Sequence, residues 1–225
     1  MVGCTHAALT GQGVHNSNND ETYSKITTAL GILPNSRIRV FICVEGKHDI
    51  TFLKTITPII MEIDDKMPDL RCEPQIAFIP LGGSTLKDWV AMNYLKELKI
   101  PEIHIYDRDN IENPNYKNEH DLVNNRKDGS IAFLTSKREI ENYIHPNVIN
   151  QYFGISINPT NDDDVITLIY NELQMTSKPL SAKNIKGRLN SEAVKLMTAT
   201  QLNEIDNQNE ILTWFNEIYK KINDR

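Results

Sequence analysis

The sequence predicts an α/β fold in which a mainly parallel central sheet is flanked by helices, with a helical extension at the C-terminus. Short apolar runs alternate with segments whose apolar residues recur at helical spacing. This alternation favours parallel strands that are joined by right-handed helical crossovers. From about Pro146 onward only helical patterns follow, and these patterns predict the extension.

Four strands are predicted from the apolar runs. The first run is apolar almost throughout, as is typical of a strand that is buried on both faces. Gly82 and Gly83 end the second strand. In chain order the predicted strands are RIRVFICV, PQIAFIPL, PEIHIY and SIAFLT.

Helices are predicted between and after these strands. Ser84 or Thr85 is placed to cap the second helix, and Ser136 is placed to cap the helix that begins KREIENYI. In chain order the helical segments are DITFLKTITPIIMEI, TLKDWVAMNYLKEL, KREIENYI, DDVITLIYNELQ, SAKNIKGRLNSEAVKLM and NEILTWFNEIYKKI. The last of these carries an apolar stripe that is either core or a docking surface for a partner.

A long polar stretch from Asn110 to Ser130 separates the third strand from the fourth. A segment of this length without periodicity inside a domain is usually a functional or mobile loop. Its cations Lys117, Arg126 and Lys127 are candidates for contact with a substrate, although an ordinary solvated loop fits the composition equally well.

The bulk composition excludes several classes of protein. No apolar run approaches the ~20 residues that span a bilayer, and the N-terminus lacks the pattern of a secretory signal, so a cytoplasmic protein without a membrane partner is expected. The cysteines Cys4, Cys43 and Cys72 form no disulfide or zinc pattern, and Cys43 is predicted to be a buried apolar residue. A net charge of −6 argues against a general nucleic-acid binder, except where acids hold a metal ion.

Acidic residues follow two separate predicted strands. Glu45 ends the first strand and Asp49 lies one helical turn later, whereas Asp107 and Asp109 end the third strand. In an open parallel sheet the ligand site lies at the carboxyl ends of the strands. We therefore expect all four acids at one edge of the sheet.

Four carboxylates at one edge need a partner of opposite charge. At 4 Å each pair repels by about 1 to 4 kcal/mol, depending on the effective dielectric. Oxygen ligands in this number suit Mg²⁺ or Mn²⁺, which activates water for attack on a phosphodiester. Taken singly, each acid also has an ordinary interpretation: Asp107 and Asp109 as turn formers, and Asp49 as a first-turn helix acid.

These residues resemble a known family. VEGKHDITFL resembles the strand–Glu–Gly–helix opening of TOPRIM (topoisomerase–primase) domains, and IYDRD resembles their Asp-x-Asp strand end. Together with Gly82-Gly83 and KREIENYIHP, the segment from Gly31 to Pro146 is similar to the TOPRIM part of OLD-family (overcoming lysogenization defect) nucleases and related anti-phage effectors. The resemblance implies a Rossmann-like TOPRIM domain over residues 36–146 and a helical extension over 147–225.

The resemblance also implies a nuclease site with two Mg²⁺ or Mn²⁺ ions. Glu45 and Asp49 would serve one metal cluster, and Asp107 with Asp109 would form the other acidic group. The family's further acid corresponds to Glu139 or Glu141. Glu139 has the alternative of closing a capping box with Ser136, which favours Glu141 as the ligand. A lysine that stabilises the transition state corresponds to Lys186, with Lys183 and Arg188 as alternatives, and neither His48 nor His104 is needed as a ligand.

Residues 1–35 resemble the end of an ABC-type ATPase, in which His6 would sense nucleotide. The chain has no phosphate-binding loop of the Walker type, so we predict no intrinsic ATP hydrolysis. Either a separate ABC-type ATPase is the partner, or Met1 lies within a longer reading frame.

The predicted function is a metal-dependent endonuclease that hydrolyses DNA or RNA as a phage-defence or toxin effector. Primase-like nucleotidyl transfer or strand passage would use the same acids, but the chain lacks the accompanying zinc-binding and tyrosine-bearing domains. A non-catalytic TOPRIM module that docks to an ATPase is the alternative from another class. The choice between DNA and RNA, the sequence preference, the trigger and the formation of a homo-oligomer stay open.

Overall fold

Four short strands form one parallel sheet, as the sequence predicts. The structure is a computed structural model that describes residues 37–175 and 179–223. Within these residues the sheet has the order β2-β1-β3-β4. The strands are β1 (Val40–Val44), β2 (Ile76–Pro80), β3 (Glu102–Tyr106) and β4 (Ile131–Leu134).

Helices connect the strands and make up the C-terminal part of the described chain. Those in the sheet region are α1 (Lys47–Ile63), α2 (Leu86–Met92) and α3 (Lys117–Asn124). Those that follow are α4 (Pro146–Phe153), α5 (Val165–Gln174), α6 (Ala182–Ser191), α7 (Ala199–Ile205) and α8 (Glu210–Asn223). Short 3₁₀ turns cover Lys96–Leu98, Ile140–Tyr143 and Ala193–Leu196.

The strand order creates a switch point between β1 and β3. From β1 the chain crosses to β2 on one side, and β3 then pairs with β1 on the other side. Connections that diverge in this way leave a crevice at the carboxyl ends of the two central strands. Glu45 follows β1 and Asp107 follows β3, so both begin at this crevice.

The prediction of a loop from Asn110 to Ser130 is wrong for the middle of that segment, which forms helix α3. The buried residues of this helix are Glu119 and Val123, and Tyr116 just before it is also buried. The rest of the helix is polar, so its sequence does not show the spacing of apolar residues that predicts a helix. Arg126 is not available to a substrate either. Its guanidinium is largely buried, pairs with Glu102 at 3.1 Å and donates to the carbonyl of Val90.

The helix predicted from KREIENYI is only the 3₁₀ turn Ile140–Tyr143, and Ser136 does not cap it. The backbone N–H of Ile140 donates to Asp107 Oδ1 at 2.9 Å, and that of Glu139 donates to Asn142 Oδ1 at 3.1 Å. The Ser136 hydroxyl bonds to Glu210 instead, at 2.5 Å. The predicted capping box between Ser136 and Glu139 is therefore absent from the described residues.

Other helix predictions differ from the structure only in length. The second helix ends at Met92, where Asn93 has a left-handed backbone (φ 47), and Gly82 is left-handed where the second strand ends (φ 71). Thr85 precedes α2, but its hydroxyl donates to backbone carbonyls of Leu81 and Gly82 and makes no cap bond. The helix predicted from SAKNIKGRLNSEAVKLM ends at Ser191 and continues as a 3₁₀ turn.

One apolar core joins the sheet to the C-terminal helices. The stripe on α8 consists of Ile211, Trp214, Phe215 and Ile218, all fully buried, so it is core and leaves no docking surface there. The described residues from Arg37 onward belong to one compact unit, and the same core lies on both sides of the predicted boundary at residue 146.

Several expectations concern the rest of the chain or its cellular setting. The ATPase-like segment 1–35, with Cys4 and His6, lies outside the described residues. Cys43 is fully buried, as predicted, and Cys72 is exposed. None of the helices in the described ranges combines the length and apolar character that crossing a membrane requires.

Candidate metal centre

A hydrogen bond between Asp107 and Glu45 links the carboxyl ends of β1 and β3. The backbone N–H of Asp107 donates to Glu45 Oε1 at 3.2 Å, and the hydroxyl of Tyr116 donates to Glu45 Oε2 at 3.3 Å. Asp107 in turn accepts the N–H of Ile140. This bond draws the 3₁₀ turn that carries Glu139 and Glu141 to the end of β3.

Three carboxylates converge as a result: Asp107, Glu139 and Glu141. One oxygen from each lies within 4.8 Å of the others. Glu141 is fully buried, and its Oε1 accepts from Asn190 Nδ2 at 2.7 Å. Its Oε2 is also buried but has no hydrogen-bond partner in the part of the chain that the structure describes.

Lys186 on α6 is the cation of this cluster. Its ammonium nitrogen lies 3.2 Å from Glu141 Oε1 and 3.6 Å from Glu139 Oε2. Burial acts to lower the pKa of Lys186, but the negative charges of Glu141, Asp107, Glu139 and Asp49 outweigh it and raise that pKa. The lysine therefore stays charged at every ordinary pH.

Asp49 accepts a hydrogen bond at the start of α1 and also interacts electrostatically with residues of the acidic cluster. It is buried in the first turn of α1, where its Oδ2 accepts the N–H of Gly46 at 2.8 Å. Its pKa is raised mainly by burial, with a further rise from Glu139, while Lys186 opposes the shift. Both the helix-acid interpretation and a place at the acidic site thus describe this residue.

Asp109 is not one of the three converging acids. Its Oδ2 accepts from Asn115 at 2.5 Å, and its backbone is left-handed (φ 57). The negative charge of Asp109 contributes to the raised pKa of Glu45. The structure brings Asp107 together with Glu139 and Glu141, while Glu45 lies near enough to both Asp49 and Asp109 for their charges to raise its pKa.

Burial, together with the charges of neighbouring acids, raises the pKa of several of these acids. The pKa of Glu45 rises to about 7, first because of burial and then because of the charges of Asp49 and Asp109. The pKa of Glu139 also rises to about 7, through burial and the charge of Glu141. Burial, followed by Glu141, Asp49 and Glu45, raises the pKa of Asp107 well above its ordinary range.

These residues fit a divalent cation. Mg²⁺ is held octahedrally by oxygens at about 2.0–2.1 Å, so neighbouring ligands of one ion lie about 3 Å apart and opposite ligands about 4.2 Å apart. The three carboxylate oxygens lie within 4.8 Å of one another and would move closer together to share one ion. The buried, unpartnered Glu141 Oε2 is a free acceptor at the same place. The acidic cluster is therefore compatible with metal binding.

A second group of possible ligands does not fit a metal ion. Cys43, Glu102 and His104 also lie within 4.8 Å of one another and are buried. However, His104 Nε2 bonds to Glu102 at 2.7 Å, and its Nδ1 bonds to the hydroxyl of Tyr106 at 2.6 Å. Since Arg126 neutralises Glu102, this group is already internally satisfied.

The other predicted cations lie apart from the acids. Among the described residues, Lys183 and Arg188 form no ion pair with a carboxylate. Both line a groove with His48 and Gly187. The pKa of His48 is lowered by partial burial and then by the charges of Lys47, Lys186 and Lys183, so this side of the centre is positive.

Three supporting residues were not predicted: Tyr116, Asn142 and Asn190. Asn142 bonds to the N–H of Glu139 and to the carbonyls of Thr160 and Asp163, which fixes the turn. The spacing of Asn190 four residues after Lys186 places both on one helix face and was an available signal. Tyr116 and Asn142 lack such a local signal.

No protein-family model matches the chain, and no curated protein matches it. Among solved structures, the chain is similar to the C-terminal region of the OLD protein of Xanthomonas campestris pv. campestris. The two share 13% sequence identity over 82% of this chain and 96% of that one, with a TM-score of 0.47. A likeness of this size carries no argument about function, which has to come from the residues.

Proposed function

We propose that this protein is a metal-dependent endonuclease that hydrolyses phosphodiester bonds. The observation that carries the proposal is the convergence of Asp107, Glu139 and Glu141 around Lys186 at the switch point of a parallel sheet. The predicted resemblance to TOPRIM nucleases supports the same reaction. A phage-defence or toxin role with a separate ATPase partner remains part of the proposal.

Each residue has a role in this proposal. Asp107, Glu139 and Glu141 hold the first Mg²⁺ or Mn²⁺, and Glu45 with Asp109 are the acids available to a second. Such an ion supplies a water of lowered pKa and a positive charge beside the phosphate. Lys186 adds a permanent positive charge to a site that otherwise carries several carboxylates. Asn190 and Asn142 fix the positions of the acids.

Cleavage assays test the proposal. Supercoiled plasmid and total tRNA are incubated with the full chain in Mn²⁺, in Mg²⁺ and in chelator. The variant Asp107→Asn removes one carboxylate charge from the cluster, and Glu172→Gln removes one from the exposed surface of α5. We expect cleavage of at least one substrate with metal, no cleavage in chelator, loss of cleavage in Asp107→Asn and unchanged cleavage in Glu172→Gln.

Mn²⁺ binding, measured by calorimetry, separates two negative results. If the chain binds Mn²⁺ through Asp107 but cuts nothing, the metal centre stands and the nuclease proposal is wrong for the isolated chain. If Asp107→Asn cuts as well as the unmodified chain, the site assignment is wrong. If the chain neither binds nor cuts, a non-catalytic module is the better account.

A further inference from the structure

A groove lies between the first turns of α1 and one face of α6. It has a volume of about 500 Å³, and its lining includes Lys47, His48, Lys183, Gly187 and Arg188. Helix α6 packs against α1 here. A Cβ at Gly187 would lie 3.5 Å from the His48 ring, which is an ordinary contact distance, so Gly187 and His48 are neighbours in the groove lining.

The groove is positively charged on a protein that is negative overall. Lys47, Lys183 and Arg188 are all exposed, and the described residues pair none of them with a carboxylate within 4.0 Å. The acid in the lining is Glu192, which is bonded to the hydroxyl of Tyr152. Against a net charge of −6, three unpaired cations in one groove mark a surface for an anion.

The groove adjoins the acidic cluster through both of its helices. Lys47 and His48 immediately precede Asp49 on α1. On α6, Ile185 and Leu189 are buried in the core, while Lys186 and Asn190 face Glu141. Other positions of that helix line the groove, among them Lys183, Gly187 and Arg188. One helix therefore connects the cation of the metal centre with the lining of the groove.

We infer that this groove binds the sugar–phosphate backbone of the nucleic acid whose neighbouring phosphodiester lies at the acidic cluster. The inference rests on the proposed function and adds the place where the strand lies. Lys47, Lys183 and Arg188 each contact a phosphate, and the polar side chains of Thr51, Asn184 and Ser191 offer further hydrogen bonds. Because only the backbone is contacted, binding is insensitive to base sequence.

Binding is measured without cleavage, by fluorescence anisotropy of a labelled 20-nucleotide single strand and of its duplex. All proteins are full-length and carry Asp107→Asn. The test variant combines Lys47→Gln, Lys183→Gln and Arg188→Gln. The control combines Lys66→Gln, Lys87→Gln and Lys96→Gln, which removes the same charge from exposed positions outside the groove. Thermal melting confirms that both variants fold.

We expect the groove variant to bind the single strand at least about tenfold more weakly at 100 mM salt. The plot of log affinity against log salt concentration should also become less steep by about 2, because each of the three lost phosphate contacts contributes ~0.7 to the slope on a single strand. The control keeps the slope of the parent protein. With Asp107 restored, the groove variant raises KM for cleavage and leaves kcat within about twofold.

Two results would overturn the inference. The first is a groove variant with the affinity and salt slope of its parent while the unmodified chain still cuts, because the nuclease would then hold its substrate elsewhere. The second is equal weakening in the control, which would show a general effect of charge. If the unmodified chain neither binds nor cuts either oligonucleotide, the proposed function fails together with the groove.

Discussion

At the scale of single residues, Glu45 shows how burial and crowding weaken the metal-free protein. Its pKa is about 7 in the fold and 4.5 in the unfolded chain. An acid with a raised folded pKa contributes stability that is fully present below pH 4.5 and is lost as the pH rises through 7. By pH 8 the cost of this one group is on the order of 3 kcal/mol.

We therefore predict that Glu45→Gln stabilises the metal-free protein at pH 8 and has little effect near pH 4.5. A neutral amide avoids the charge, and the hydroxyl of Tyr116 can turn to accept from it. Urea unfolding in chelator at both pH values measures the change. Glu172→Gln on the exposed face of α5 is the matched control. Equal stability of Glu45→Gln and the unmodified chain at pH 8 would contradict the raised pKa.

Lys186 has two separable effects, one on stability and one on metal binding. Its ammonium group balances Glu141, which is fully buried. Removing one partner of such a pair leaves an uncompensated charge. We predict that Lys186→Met lowers stability in chelator by up to about 3 kcal/mol at pH 8, and that adding Glu141→Gln recovers part of the loss, with a coupling of about 0.5–3 kcal/mol.

The same variant is expected to bind Mn²⁺ at least as tightly as the unmodified chain, because no lysine competes for the carboxylates, and yet to cut more slowly. Calorimetry and cleavage assays measure the two effects. Lys87→Met changes an exposed lysine on α2, outside the groove, and serves as the control. Weaker Mn²⁺ binding by Lys186→Met would show that the lysine organises the carboxylates for the ion.

At the scale of elements, the 3₁₀ turn Ile140–Tyr143 holds two of the three converging acids. Asn142 fixes the turn through three hydrogen bonds of 3.0–3.1 Å, to Glu139, Thr160 and Asp163. We predict that Asn142→Ala lowers Mn²⁺ affinity by about 10–100-fold, since supporting residues of metal sites have effects of this size. It removes no ligand from the site.

Calorimetry of Asn142→Ala against Asn118→Ala, an exposed position on α3, measures this effect. The variant should also lose about 1 to 3 kcal/mol of stability, because three partly buried backbone groups lose their hydrogen-bond partner. Normal Mn²⁺ affinity in a destabilised Asn142→Ala would show that Asp107 alone positions the turn.

The elements also show what the sequence could and could not predict. All four strands were predicted: β1 is a continuous apolar run, and in β3 the apolar Ile103, Ile105 and Tyr106 precede the acids that follow the strand. The turn at Glu139 was predicted as a helix, because the bond that prevents a helix comes from Asp107, more than thirty residues away in the chain. Helix α3 was missed because only Val123 and its few neighbours meet the core.

At the scale of the whole molecule, the sheet and the C-terminal helices share one core and one candidate site. The core cluster includes Phe52 and Ile56 of α1 together with Ile185 and Leu189 of α6. The centre takes Asp107 and Glu141 from the sheet region, and Lys186 and Asn190 from α6. No periodicity in the sequence indicates such a shared core, and the boundary at residue 146 was predicted from the extent of the family resemblance.

A chain that ends at residue 146 tests this dependence. It would expose the α1 residues that pack against α6 and would leave buried Glu141 without Lys186 or Asn190. We predict that the shortened chain shows no cooperative thermal transition and binds no Mn²⁺. The full chain should melt cooperatively, and it should gain about 2.7 kcal/mol of stability at a Mn²⁺ concentration one hundred times its Kd. Circular dichroism and calorimetry of the two chains, with Asp107→Asn in the full chain as the control, measure both effects. A cooperative transition in the shorter chain would show that the sheet region folds alone, and Mn²⁺ binding by that chain would place the ion on Glu45, Asp107 and Glu139 without help from α6.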